Sequence, residues 1–195
     1  MIDIEKQKEH FKAHKASFSD YGKIKILDFK NPSSSEYRIR FIFEEDYCKL
    51  HISGDLGELI ATNYNNMTFE KFLDFANNPG YFEHKIDCLN RNIYIFDEDK
   101  AREQLRVMAN KNAWLSSSTD YDWEDDEEQR LDYILDDILD DFSEENGIGR
   151  AGYDKLSEFE NDVFDFVSNM GKEETGILDL YMLAFKMALE QLKEN

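Results

Sequence analysis

The chain has 195 residues, 43 acidic against 23 basic, for a net charge of −20 at neutral pH. It is 41% hydrophobic and 14% aromatic, with 15 Phe and 10 Tyr, which supplies enough apolar material for a core and argues against intrinsic disorder. A negative excess of this size repels nucleic acid and anionic membrane and attracts basic protein surfaces, so direct binding to nucleic acid or to membrane is not expected.

Residues 4–19 read as a short Lys-rich helix with Ile4, Phe11 and Phe18 on its buried side. A strand-rich block follows. Lys23–Leu27 and Tyr37–Phe43 alternate apolar with polar, the period-two pattern of half-buried strands, and Asn31-Pro32-Ser33-Ser34-Ser35 between them is turn chemistry. A third strand, Tyr47 to Ser53, and a fourth, Glu58 to Asn63, flank Gly54-Asp55-Leu56-Gly57, which gives an antiparallel meander.

Thr68 is the expected N-cap of a helix over 69–76, stopped by Asn77-Asn78-Pro79-Gly80. Residues 82–89 and 92–96 read as further strands, and Asp97 caps a helix to about Asn110. Ser116-Ser117-Ser118 is the expected hinge. Beyond it come helices over 123–142, 153–170 and 175–193, broken at Asn146-Gly147-Ile148-Gly149 and at Gly171. The predicted architecture is α+β, a small antiparallel sheet of about four strands with helices over 1–115, then an acidic helical region over 120–195.

Cys48 and Cys88 form no disulfide framework. The N-terminal segment lacks the apolar centre of a signal peptide, and no apolar run approaches the roughly 20 residues of a membrane span. The expected compartment is a reducing cytoplasm.

Between Asp120 and Glu145 the chain carries 14 carboxylates and one base, Arg130, for −13 of the total −20. Leu131, Ile134, Leu135, Ile138, Leu139 and Phe142 recur at three and four residues and give this segment an apolar stripe. Residues four apart lie roughly 5–6 Å from each other on a helix, so Asp132, Asp136 and Asp140 form one row of charge and Asp137 and Asp141 its neighbour. Like charges at that spacing cost about 0.2–0.5 kcal/mol per pair, and Asp is a poor helix former. An ordinary solvated face would mix in Lys. The alternative is that the row imitates a phosphate backbone and occupies a basic groove. The candidate partner-binding residues are therefore Asp122, Glu124, Asp125, Asp126, Glu127, Glu128, Asp132, Asp136, Asp137, Asp140, Asp141, Glu144 and Glu145.

Other constellations carry less. Asp120, Asp122 and Glu124 resemble the start of a calcium loop, but Asp125 stands where that loop needs Gly and Leu131 where it needs Glu. Cys48 and His51 have an odd separation on a strand and face opposite sides. His10 and His14, and likewise His84 and Cys88, have the four-residue spacing of a helical metal pair, without a third ligand. Gly54-Asp55-Leu56-Gly57 lacks the glycine pattern and Lys of a phosphate loop. No metal, cofactor or catalytic residue is expected.

The first half resembles a family of uncharacterised small proteins encoded by bacteriophages and prophages. The resemblance rests on the order of Asn31-Pro32-Ser33-Ser34-Ser35-Glu36-Tyr37, Leu50-His51-Ile52-Ser53-Gly54-Asp55-Leu56-Gly57 and Met67-Thr68-Phe69-Glu70-Lys71-Phe72-Leu73, within residues 11–80. This chain departs from the family's Arg-rich strand, with Lys25 or Arg38 there, and has Leu56 where Met follows the Gly-Asp pair. The resemblance implies a mobile-element context in a bacterial host cell, and it carries over no catalytic residues. By analogy with DNA-mimicking anti-restriction and anti-CRISPR proteins, it implies an inhibitor of a basic nucleic-acid-handling protein. The competing readings are a non-catalytic homodimer, through the apolar faces of the last two helices, and a Mg-dependent nuclease.

Overall fold

The computed structural model describes residues 3–117 and 127–194. In chain order the elements are α1 (Ile4–Phe11), β1 (Lys15–Asp20), β2 (Ile24–Lys30), β3 (Ile39–Glu44), β4 (Lys49–Gly54), β5 (Leu59–Thr62), α2 (Phe72–Ala76), α3 (Pro79–Glu83) and β6 (Ile86–Leu89). They continue with β7 (Tyr94–Phe96), α4 (Glu98–Asn112), α5 (Trp114–Ser117), α6 (Glu127–Leu139), α7 (Arg150–Leu156), α8 (Phe164–Val167), β8 (Lys172–Glu174) and α9 (Ile177–Glu194). The class is α+β. Its main sheet has six antiparallel strands in the order β1-β2-β3-β4-β5-β6, not about four. No helix among the described residues is long and apolar enough to cross a membrane.

The chain divides into two compact units, Met1–Ile93 with Thr175–Asn195, and Tyr94–Glu174. The expected boundary at Ser116-Ser117-Ser118 is therefore displaced. Helix α9 belongs with the sheet, and the second unit is an insertion between β6 and α9. The reason is hydrophobic. Leu178, Tyr181, Met182, Ala184, Phe185 and Ala188 of α9 are buried in the same core as the inward strand residues Leu27, Phe29, Phe41, Phe43, Leu50 and Ile52. Phe185 sits edge-on to Phe72 at 4.8 Å and to Phe41 at 5.5 Å, and Tyr181 donates its hydroxyl to the Leu56 carbonyl at 3.0 Å. Burial pushes the Tyr181 phenol up to about 12.

The first helix is shorter than expected. It stops at Phe11, and residues 15–20 pair with β2 as a strand, Phe18 opposite Leu27. Ile4, Phe11 and Phe18 do not share a face: Ile4 is 47% exposed, Phe11 is buried, and Phe18 stacks on Phe69 from the strand. Alternation through Ala16 and Phe18 outweighed the helical spacing. As the edge strand, β1 is covered at its start by Gln191 of α9, whose amide accepts from Ala16 N–H and donates to the His14 carbonyl, both at 3.0 Å.

Two further segments differ. Asn77-Asn78-Pro79-Gly80 starts a helix as well as ending one, because the Asn78 side chain accepts from Tyr81 N–H at 3.1 Å and Pro79 suits a first helical turn. The strand expected over 82–89 begins only at Ile86. The helix expected over 153–170 is two short helices, α7 and α8, separated where Asp162 takes a left-handed conformation at φ 57°.

The inserted unit has its own core. Leu131, Leu135 and Ile138 of α6 are buried with Ala101 and Leu105 of α4, Leu156 of α7 and Trp114. The Trp114 indole stacks on Phe159 at 5.2 Å and donates to the Glu160 carboxylate at 2.6 Å. Strands β7 and β8 pair antiparallel, so the first and last strands of this unit run side by side.

Candidate partner-binding face

Division of the chain concentrates the charge. The inserted unit holds 25 acidic and 8 basic residues, a net −17, while the sheet unit holds 18 and 15, a net −3. Helix α6 is built as its periodicity requires, with Leu131, Leu135, Ile138 and Leu139 inward and acids outward.

Those acids do not form one free row. Asp132 accepts from the Arg106 guanidinium, and Asp136 accepts from Arg102 at 2.6 Å. Arg102 and Arg106 are four apart on α4, and Asp132 and Asp136 four apart on α6, so the two helices are laced by a matched pair of bridges. A guanidinium against a carboxylate supplies internally the charge that a basic partner would have supplied. Two of the three members of the row expected through Asp132, Asp136 and Asp140 thus carry an arginine partner within the unit.

Asp141 is also engaged internally. Its carboxylate accepts from the amides of Ala151 at 2.7 Å and Gly152 at 3.1 Å, at the start of α7. Helix α7 has Gly149 as N-cap, with no side chain to close the first turn, and Asp141 performs that task from ten residues upstream. A Cβ on Gly149 would lie 2.3 Å from the Asp141 carboxylate, so glycine is what permits the approach. Burial works against ionisation of Asp141. The amide donors of Ala151, Gly152 and Gly149 outweigh it and hold the carboxyl below its ordinary range.

Asp136 stays largely exposed in spite of its bridge, and further exposed carboxylates without an arginine partner stand at the C-terminal end of α6 and just after it. Asp137 has Lys155 at 4.0 Å. Asp140, Glu144 and Glu145 are exposed, and among the described residues none of the three has an ion pair at 4 Å or less. The last turn of α6 holds no basic residue, so Asp137 within it and Asp140 just after it meet the negative end of the helix dipole. That arrangement is electrostatically unfavourable in the free protein and is relieved by any cationic surface that approaches. Glu127 and Glu128 lie at the opposite, N-terminal end, where the dipole favours them. Asp122, Glu124, Asp125 and Asp126 lie outside the described residues, as does most of the calcium-loop segment.

The unit also exposes apolar anchors. Phe164 is 71% exposed and Phe166 is 45% exposed, on either side of Asp165 in α8.

The minor candidates are dispersed. His10 lies on α1 and stacks on Tyr37 at 4.7 Å, whereas His14 lies beyond the end of α1, buried, with Nε2 3.1 Å from the Tyr37 carbonyl. Burial pushes the His14 imidazole down from its ordinary value. Cys48 precedes β4 in a left-handed conformation and donates its thiol to the Glu45 carbonyl, while His51 on β4 faces Glu44. His84 caps α3 and Cys88 belongs to β6, so they share no helix. Among the described residues no three His, Cys, Asp or Glu side chains converge as a metal site. No protein-family model, curated protein or solved structure matches the chain.

Proposed function

We propose that the protein is a non-enzymatic, phage-type anti-defence inhibitor. It binds a basic surface of a nucleic-acid-handling bacterial protein, such as an RNA-guided nuclease or a restriction complex, through its inserted unit. The observation that carries this reading is the concentration of −17 of the net −20 in one compact unit, beside a sheet unit that is almost balanced. The exposed carboxylates Asp137, Asp140, Glu144 and Glu145 provide the field, and Phe164 and Phe166 provide apolar anchors of the kind that dominate protein interfaces. Recognition then uses the unit's overall field and these anchors, not a ladder of carboxylates at phosphate spacing.

The competing homodimer reading has lost part of its support. The α9 residues Tyr181, Ala184 and Phe185 fill the core of the sheet unit and offer no face to a second copy. The test of the inhibitor reading is capture from a bacterial lysate at low and high salt, with the parent protein and an Asp140→Asn, Glu144→Gln, Glu145→Gln variant. The reading requires a salt-labile partner that handles nucleic acid and is held less well by the variant. Equal capture by both proteins would remove it.

A further inference from the structure

The exposed tyrosines of the sheet unit gather at one end of the sheet. Tyr21 lies in the β1–β2 hairpin, Tyr47 in the β3–β4 turn, Tyr64 after β5 and Tyr81 in α3. The turns are tied together: Glu45 N–H donates to the Lys23 carbonyl at 2.9 Å, Asn63 N–H to Cys48 at 3.1 Å, and Thr62 N–H to Lys85 at 2.9 Å. A groove of about 600 Å³ lies there, lined by Tyr47 and Tyr64 together with Asn63, His84, Lys85 and Asp87.

Its chemistry is mixed in a particular way. Tyr64 is 99% exposed and Tyr47 is 73% exposed, and among the described residues neither ring packs on another, in a unit whose phenylalanines pack edge to face. Both phenol rings are open for a flat guest. Lys85, which lines the groove, is anchored by a column of rings: Phe75 stacks on Tyr81 with 6° between planes, and the Lys85 ammonium lies 4.5 Å from the Tyr81 centroid. Opposite charge and hydrogen bonding are fixed too, since Thr62 Oγ1 donates to Asp87 at 3.2 Å and leaves the second carboxylate oxygen available. The lining of the groove thus offers two exposed phenol rings, the side chains of Lys85 and His84, and the polar groups of Asp87 and Asn63 for a ring edge.

We infer that this groove binds a flat heteroaromatic ring joined to a phosphate, the chemistry of a nucleoside monophosphate, either free or at the end of a strand. The ring lies against Tyr47 and Tyr64, its edge meets Asp87 and Asn63, and the phosphate meets Lys85 and His84. The near-neutral charge of this unit permits an anion there, whereas the inserted unit would repel one. The site is independent of the acidic face.

The test is an amide-resolved NMR titration of the full chain with AMP and UMP, against adenosine, inorganic phosphate and glucose. Saturable shifts at Thr62–Tyr64 and His84–Asp87 are expected with both nucleotides, with adenosine and phosphate binding at least about tenfold weaker. Tyr64→Ala and Lys85→Gln are each expected to weaken AMP binding about tenfold, the scale of one stacked base, with the rest of the spectrum unchanged. Tighter binding of a 5′-phosphorylated dinucleotide than of UMP assigns the site to a strand end, and equal or weaker binding assigns it to the free nucleotide. The proposal is overturned if neither nucleotide gives saturable shifts at these residues, if glucose or adenosine binds as tightly as AMP, or if neither substitution weakens binding.

Discussion

Thr175 holds Ile93 twice, its amide donating to the Ile93 carbonyl at 2.8 Å and its hydroxyl to the same oxygen at 3.1 Å. The hydroxyl also reaches the Asn92 carbonyl at 2.8 Å. The chain therefore leaves the sheet unit and re-enters it at one point.

Replacing Tyr94–Glu174 by a short Gly-Ser loop should leave a folded sheet unit, because the ends to be joined are already hydrogen-bonded. A cooperative urea transition and a dispersed NMR spectrum are the expected results. The shortened protein should also lose the partner of the acidic face, which separates that activity from the sheet unit.

Phe185 is the ring on which the sheet unit's aromatic core converges, contacting Phe41, Phe43, Phe69 and Phe72. Phe185→Ala should cost about 3–5 kcal/mol of unfolding free energy. Chemical denaturation measures it, and a loss below about 1 kcal/mol would contradict the packing described.

Asp141 predicts an acid-side effect. Its folded pKa lies below the unfolded value of about 3.9, so its contribution is fully present above that value and is lost as pH falls through the folded pKa. Asp141→Asn should destabilise the inserted unit by about 1 kcal/mol at neutral pH, the usual worth of a helix cap, and less in strong acid. Parallel melts at pH 7 and pH 2 would test this, about the two ends of that range.

His14 acts in a different window. The folded imidazole resists protonation because it is buried among Phe11, Phe29 and Tyr37, so its folded pKa is below the unfolded value of about 6.5. Protonation favours the unfolded chain. Stability should be constant above about pH 6.5 and fall below it until the folded pKa is passed. His14→Gln should flatten the stability–pH curve there, whatever it does to the absolute value.

The two arginine bridges set opposite expectations for stability and binding. Arg102→Gln with Arg106→Gln removes the partners of Asp136 and Asp132, and the exposed pairs are worth about 0.2–1 kcal/mol each. The inserted unit should melt earlier while binding a basic partner no less tightly, since two carboxylates are released. Weaker binding would place the arginines themselves in the interface.

The strands from Ile24 to Thr62 were legible because one face of the sheet is buried, and burial on one face imposes strict alternation on Leu27, Phe29, Phe41 and Phe43. β1 was not, because Lys15-Ala16-Ser17 is short of β-formers and the strand follows a true helix without a Gly or Pro to mark the change. The insertion was hidden for another reason. Nothing local distinguishes α9 from a helix of the inserted unit, and only its contacts with the sheet assign it. At the acidic face the sequence showed where charge is dense but not which acids are spent internally. A signal for that did exist: Arg102 and Arg106 repeat the four-residue spacing of Asp132 and Asp136. The tyrosine groove had no such signal, since its members come from three separate stretches of the chain, at Tyr47, 62–64 and 84–87.

The Gln191 side chain occupies the first rung of the border strand as another polypeptide would, taking one amide hydrogen and giving one back. A strand arriving from a neighbouring molecule must first evict it, and with it loosen the last turn of α9. One glutamine thereby discourages fibre-like growth at the margin that is otherwise open to it.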